Sequence, residues 1–453
     1  MLDIHPNRHS SNPIMARTIT QELAPDSLDL STIVRPGDTV MWGQSTAEPL
    51  PLTQALMAQR RAIGRFNVFL GVTYSDTLKP EYADCVSFSA YCGSGGNRAL
   101  AKAGKLDILP VHYSQLPGLI QSGRLKVDVL MLQLAPADAA GNYSLSLAHD
   151  YLIPALDVAR VVIAEVNEQA PWTFGERPVR EDDLDYIVRT SRPPLELHHP
   201  QPGEAELAIA RHAAGLIEDG ATLQFGLGAL PEAILAALAD RRDLGIHSGA
   251  IGDHVAELMA AGVITNARKS IDRGVTVASV MFGSKRLQQF CHRNPAVQFR
   301  SNDYTHNADV LAQIERFAAL NVAIEVDLTG QINAETVGGV YVGAVGGALD
   351  FLRGAQRSKG GLPIVALPST AGKASRIVAK LSGPVSTPRS DAGIIVTEYG
   401  VADLRGAPLS ERVRRMIAIA HPNVREQLER DAESVLRHSL SKEPIPSPLT
   451  GEG

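Results

Sequence analysis

The chain has 453 residues, 44% of them hydrophobic and 20% charged, with a formal net charge of −6. That length exceeds one ordinary hydrophobic core, so roughly two or three domains are expected of a soluble globular chain with this composition. The weak charge and the lack of a basic stripe interleaved with aromatics exclude nucleic acid as an expected partner, and no apolar run approaches the roughly 18–20 residues that span a bilayer.

Residues 1–17 read as a loose leader without the apolar stretch of a secretory signal, and Met15 is an alternative start. Cys85, Cys92 and Cys291 have neither disulfide nor metal spacing, which points to a reducing cytoplasm and to no metal centre. In VMWGQSTAEPLPL (40–52), Glu48 sits on a small-residue turn after a strand. A carboxylate there suits a nucleophile or a general base, and equally a solvated helix cap. PVHYSQLP (110–117) and LAHDYL (147–152) supply His112, Ser114, His149 and Asp150 without triad spacing, so the histidines read as structural. VDVLMLQLA (127–135) and RVVIAEVN (160–167) read as buried strands.

The aperiodic, Pro-rich stretch 193–206 reads as a linker between an N-terminal α/β domain (18–192) and a C-terminal one (207–440). Residues 441–453 read as a disordered tail. After the linker, ATLQFG (221–226), VAIEVDLTG (322–330), LPIVALPS (362–369) and AGIIVTEYG (392–400) read as strands. PEAILAALADRR (231–242), HVAELMAAG (254–262) and NVREQLERDAESVLRHSL (423–440) read as helices. Near-continuous apolar strands alternating with helices indicate parallel sheets covered on both faces.

Three turns in this half suit anions or thioesters. Gly226, Leu227, Gly228, Ala229 and Leu230 join a strand to a helix whose N-terminus favours a phosphate or pantetheine arm, although Pro231 breaks the dinucleotide fingerprint. Gly346 and Gly347 offer the backbone N–H groups that an oxyanion hole requires. Arg353, Lys359 and Lys373 follow as possible phosphate partners, while Leu367 stands where a Walker A loop needs its first glycine. In LGIHSGAIGD (244–253), His247 and Ser248 resemble a catalytic corner, but its centre is Gly249.

Taken in order, GDTVMWG…AEP, HYSQLP, VIAEVN, GLGALPEA, LGIHSGAIGD, GVITNARK, EVDLTGQINAE, VGGALDF, RGAQRSKGG, ALPSTAGKASRIV, STPRSD, VTEYGVADLRG and IAHPNVRE resemble the acetyl-CoA hydrolase/CoA-transferase family over about residues 36–430. The resemblance implies two similar parallel-sheet α/β domains with the active site in the cleft between them. It also implies a CoA thioester substrate with no bound cofactor, a small carboxylate acceptor and a homodimer. In such enzymes a glutamate attacks the acyl-CoA, giving an anhydride, then an enzyme–CoA thioester and ping-pong kinetics. Gly226 to Leu230 map onto the CoA turn, and Gly346 and Gly347 onto the oxyanion region.

Two departures follow. The family's nucleophilic glutamate maps onto Gly249, and the amide of its GGQ-x-D-F motif maps onto Ala348. Glu48 is therefore expected as the substitute acid, ahead of Asp253 and Glu232, with His247 and Ser248 orienting the acyl or carboxylate group. The expected activity is transfer of CoA from acetyl-, succinyl- or butyryl-CoA to an acid such as 4-hydroxybutyrate or itaconate. An acyl-CoA hydrolase and a catalytically silent CoA-binding protein are the alternatives.

Overall fold

The computed structural model describes residues 20–198, 201–226 and 228–440, the stretch 434–440 without its side chains. The expected leader and tail, and Leu227, lie outside the described residues.

Strand formation follows from runs that are apolar on both faces. In Val129–Leu134, Val129 and Met131 join a cluster with Val40, Trp42 and Leu56, while Leu130, Leu132 and Leu134 join another on the opposite face. That is the two-residue period of a strand, and a strand apolar on both sides must be covered on both. It lies inside an eight-stranded parallel sheet in the order Gln21–Leu23, Tyr186–Thr190, Val161–Asn167, Val129–Leu134, Thr39–Trp42, Phe66–Leu70, Val86–Ala90, Leu106–Ile108.

The second half repeats the plan with six strands: Gly245–Ile246, Thr222–Phe225, Phe317–Val322, Leu362–Ala366, Ile394–Thr397 and Gly400–Asp403. Only the last pairs antiparallel. One core cluster runs through both halves, joining Met41, Phe69 and Leu132 to Leu223, Phe225 and Leu320. Among the described residues, no helix is long and apolar enough to cross a membrane.

One expectation needs correction. The strand expected over 322–330 is displaced: the sheet strand is Phe317–Val322, and Glu325–Asp327 pairs with Ile332–Asn333 and Ile377–Val378 in a separate small sheet. Its two alanines, Ala318 and Ala319, are fully buried but carry little strand signal. Within residues 193–206 the helix Glu204–Ala214 begins, and the Leu197 N–H donates to the Gly283 carbonyl at 3.0 Å. The halves also interlock: Phe174–Gly175 adds a parallel strand to Val297–Phe299.

Candidate active site

Parallel strands deliver their following loops to the same sheet edge, where α/β proteins place their sites. Gln44 lies just beyond the strand Thr39–Trp42, Tyr91 beyond Val86–Ala90, and Gly226 beyond Thr222–Phe225. With Tyr113, Gln224, Gly249, Ala250, His306, Asn321, Gly347 and Ala348, they line a cavity of about 160 Å³ between the halves. Among the described residues, no Asp or Glu lines it.

The two halves are fastened at its rim. The Tyr113 N–H donates to the Gly346 carbonyl at 3.0 Å. Ser114 gives Asp350 its hydroxyl at 2.7 Å and its N–H at 3.1 Å. Asp350 stands in the first turn of the helix Ala348–Arg357, and burial raises its pKa against these bonds. HYSQLP and GGALDF, far apart in sequence, are thus one structural unit.

The first half supplies a polar wall. The Gln44 amide donates to Asp150 at 2.7 Å and to the Tyr113 hydroxyl at 2.6 Å, and its carbonyl accepts from the Tyr91 hydroxyl at 2.8 Å. Tyr113 also donates to Asp150 at 3.0 Å. Burial pushes the Asp150 carboxyl up to about 6 and the Tyr91 and Tyr113 phenols well above their ordinary value.

The corner 247–249 is a scaffold. His247 and Ser248, expected to orient the substrate, are fully buried and do not line the cavity. His247 Nε2 meets the Thr305 carbonyl at 3.2 Å, its ring lying against Tyr304 and Phe317. Ser248 donates to the Phe225 carbonyl at 3.3 Å. Gly249 reaches the wall, and the room beside it is filled by His306. A Cβ at Gly249 would lie 2.8 Å from His306 Cε1, and one at Gly347 would lie 2.6 Å from Nε2. The imidazole is wedged between two glycines, with Tyr113 and Phe351 at 4.8 and 4.4 Å between ring centres. Its Nδ1 meets the Thr305 hydroxyl at 2.9 Å. Burial, helped by His247, pushes its pKa down to about 3, so the ring is neutral.

Sequence reasoning missed His306, because SNDYTHNAD carries no motif. The only signal lay in asking what fills the space when a large side chain is replaced by Gly249.

Glu48 is placed elsewhere. It is buried but not on the cavity wall, and its carboxylate accepts from Ser75 at 2.7 Å and Thr53 at 2.8 Å. Burial raises its pKa despite these bonds. Both oxygens are engaged within its own domain, so the expected substitution for the missing acid is not seen. Asp253 accepts from Ser284 at 2.7 Å and Glu232 pairs with His254, so neither is poised for attack.

Gly226 lines the cavity, and Gly228, at φ +118°, ends the turn before the helix Ala229–Ala236, whose first residues are Ala229 and Leu230. Gly347 lines it too, while Gly346, at φ +56°, turns the chain. The three expected cations do not reach it. Arg353 pairs with Asp391 at 3.0 Å, Lys359 with Glu315 at 3.4 Å, and Lys373 is exposed in the hairpin Thr370–Ala371/Ala374–Ser375.

Models of the acetyl-CoA hydrolase/transferase N-terminal and C-terminal domains match residues 25–195 and 283–432. The chain is 40% identical over 395 residues to the 4-hydroxybutyrate coenzyme A transferase of Clostridium kluyveri, covering 86% of this chain and 92% of that one. The solved structure of RipA from Yersinia pestis is similar at a TM-score of 0.87 and 32% identity, covering 92% of this chain and 98% of that one. A 4-hydroxybutyrate CoA-transferase from Porphyromonas gingivalis gives 0.77 and 33% over the same shares. An acetyl-CoA hydrolase of Yarrowia lipolytica is more distant, at 28% identity over 48% of this chain and 41% of that one.

Proposed function

Because the chain belongs to the acetyl-CoA hydrolase/transferase family, we propose that it moves CoA from a short acyl-CoA to a small carboxylic acid without a carboxylate nucleophile of its own. One observation carries this reading. The place beside Gly249 holds an imidazole, and no acid among the described residues lines the cavity.

The acceptor then performs the first attack itself. Its carboxylate oxygen adds to the thioester carbonyl carbon, the C–S bond breaks, and CoA leaves as a thiolate, giving a mixed anhydride. The thiolate attacks the anhydride carbonyl that came from the acceptor, the C–O bond there breaks, and the donor acid leaves as a carboxylate. No net proton is taken up. Both substrates are held at once, so the gain comes from proximity within one cavity.

The turn from Gly226 to Leu230 takes the pantetheine arm, and Gly347 presents its N–H to the thioester oxygen. Acetyl-, succinyl- and butyryl-CoA are the donors of this proposal, and acids the size of 4-hydroxybutyrate or itaconate its acceptors. A homodimeric cytoplasmic enzyme belongs to the same proposal, and sedimentation of the full chain checks the dimer.

Initial rates with both substrates varied test the chemistry. Intersecting patterns are expected, together with no CoA adduct by intact mass after incubation with acyl-CoA alone. Parallel patterns, or a borohydride-trapped adduct on Glu48, would overturn it.

A further inference from the structure

Ala348 leaves this cavity without the side-chain amide donor that the resembling motif carries, and a hydroxyl relay shows what takes its place. Ser279 Oγ, fully buried, meets Thr305 Oγ1 at 2.6 Å. Among the described residues it has no other acceptor in reach, so its proton points to Thr305. The opposite arrangement would bury an unsatisfied hydroxyl, at about 1–3 kcal/mol. Thr305 then has one proton to place between His306 Nδ1 at 2.9 Å and the Ser301 carbonyl at 3.4 Å, which already accepts the Tyr304 and Thr305 N–H groups at 3.1 Å. The nearer acceptor takes it. In an uncharged ring whose Nδ1 accepts, the proton sits on Nε2.

The corner 247–249 holds this relay in place. His247 Nε2 contacts the Thr305 carbonyl, and the Gly249 carbonyl accepts from the Ser279 N–H at 3.2 Å. His306 Nε2 lies on the side of the ring that faces Gly249 and Gly347, both cavity residues.

We propose that His306, as its Nε2–H tautomer, is a catalytic hydrogen-bond donor to the thioester carbonyl oxygen in the interdomain cavity, with Thr305 and Ser279 as positioning residues that set that tautomer. The inference rests on the acyl-CoA transfer proposed above. A donor fixed before substrate arrives stabilises the oxyanion of the tetrahedral intermediate without reorganising. A ring that stays uncharged keeps one role across the working pH range. The titratable groups that face it are Tyr113 and His247, with Asp150 behind Tyr113.

The test joins spectroscopy to kinetics on the full-length protein. With ¹⁵N-labelled histidine, His306 is expected to show a protonated Nε2 and an unprotonated Nδ1, unchanged between about pH 5 and 9. Thr305→Val is expected to weaken that preference. His306→Met is expected to lower kcat roughly 100- to 1,000-fold with the KM for acyl-CoA within about threefold, while His306→Gln, whose amide restores an N–H, recovers at least about a tenth of the activity. A bare Nε2 or an imidazolium at neutral pH overturns the proposal, as does a Met variant with undiminished kcat. If the wild-type protein transfers no CoA, the functional reading fails by itself. The His306 assignment is then decided by whether acetyl-CoA shifts an Nε2–H resonance: a shift supports it and no shift overturns it.

Discussion

Adding one methyl group at Gly249 tests the packing on which this site depends. Its φ is not in the left-handed region, so Gly249→Ala brings no backbone strain and the cost is that of the Cβ alone. That atom would lie 2.8 Å from Cε1 and 2.9 Å from Nε2 of His306, whereas Phe351 Cε2 at 3.6 Å is an ordinary contact. The ring has no easy retreat, since Gly347 is packed as closely on it: a Cβ there would lie 2.6 Å from Cδ2 and Nε2. Overpacking of this kind costs about 1–3 kcal/mol. In a His306→Ala background the offending atoms are gone, and the same substitution should cost nothing or stabilise by up to about 1 kcal/mol. The double-mutant coupling is therefore about 1–3 kcal/mol, read from urea unfolding midpoints at constant slope. Gly118→Ala, in the helix Leu116–Gln121 with open space at its Cβ, is the control and should stabilise. A Gly249→Ala penalty that persists unchanged without the His306 ring would refute the wedge.

Asp150 titrates at about 6 when folded against an ordinary 3.8, so the folded state holds its proton more tightly. Its stabilisation is complete below about pH 4 and lost as pH rises through about 6, and Asp150→Asn should remove a decline on the order of 3 kcal/mol across that window, measured by urea unfolding at each pH. Ser114→Ala strips Asp350 of its 2.7 Å donor and leaves the 3.1 Å backbone N–H, which should lower unfolding free energy by about 1–3 kcal/mol; a loss below about 0.5 would show that the rim contact is idle. Arg353→Ala and Lys359→Ala remove exposed ion pairs worth about 0–1 kcal/mol, so the KM for acyl-CoA should stay within about twofold, and a tenfold rise would return these cations to the CoA phosphates.

The sequence by itself determined the architecture, because the signals that make it are local. The apolar run at 129–134 demands cover on both faces, and the alternation of such runs with amphipathic helices leaves parallel sheets as the way to provide it. It also determined that Gly249 can form no anhydride, a statement about chemistry that requires no geometry. It failed at Phe317–Val322, where buried alanines carry weak strand preference and tertiary pairing decided the register. Only the tertiary structure decided what surrounds Gly249. Periodicity tells which face of an element is apolar, but a cavity wall is assembled by side chains from both halves that no short window contains. Thus Glu48, suggestive on its turn, faces Ser75 and Thr53. Arg353, suggestive in its basic loop, answers Asp391. His306, unremarked in the sequence, occupies the room that the glycine left, because space emptied in a close-packed interior is taken by whichever neighbour the fold brings beside it.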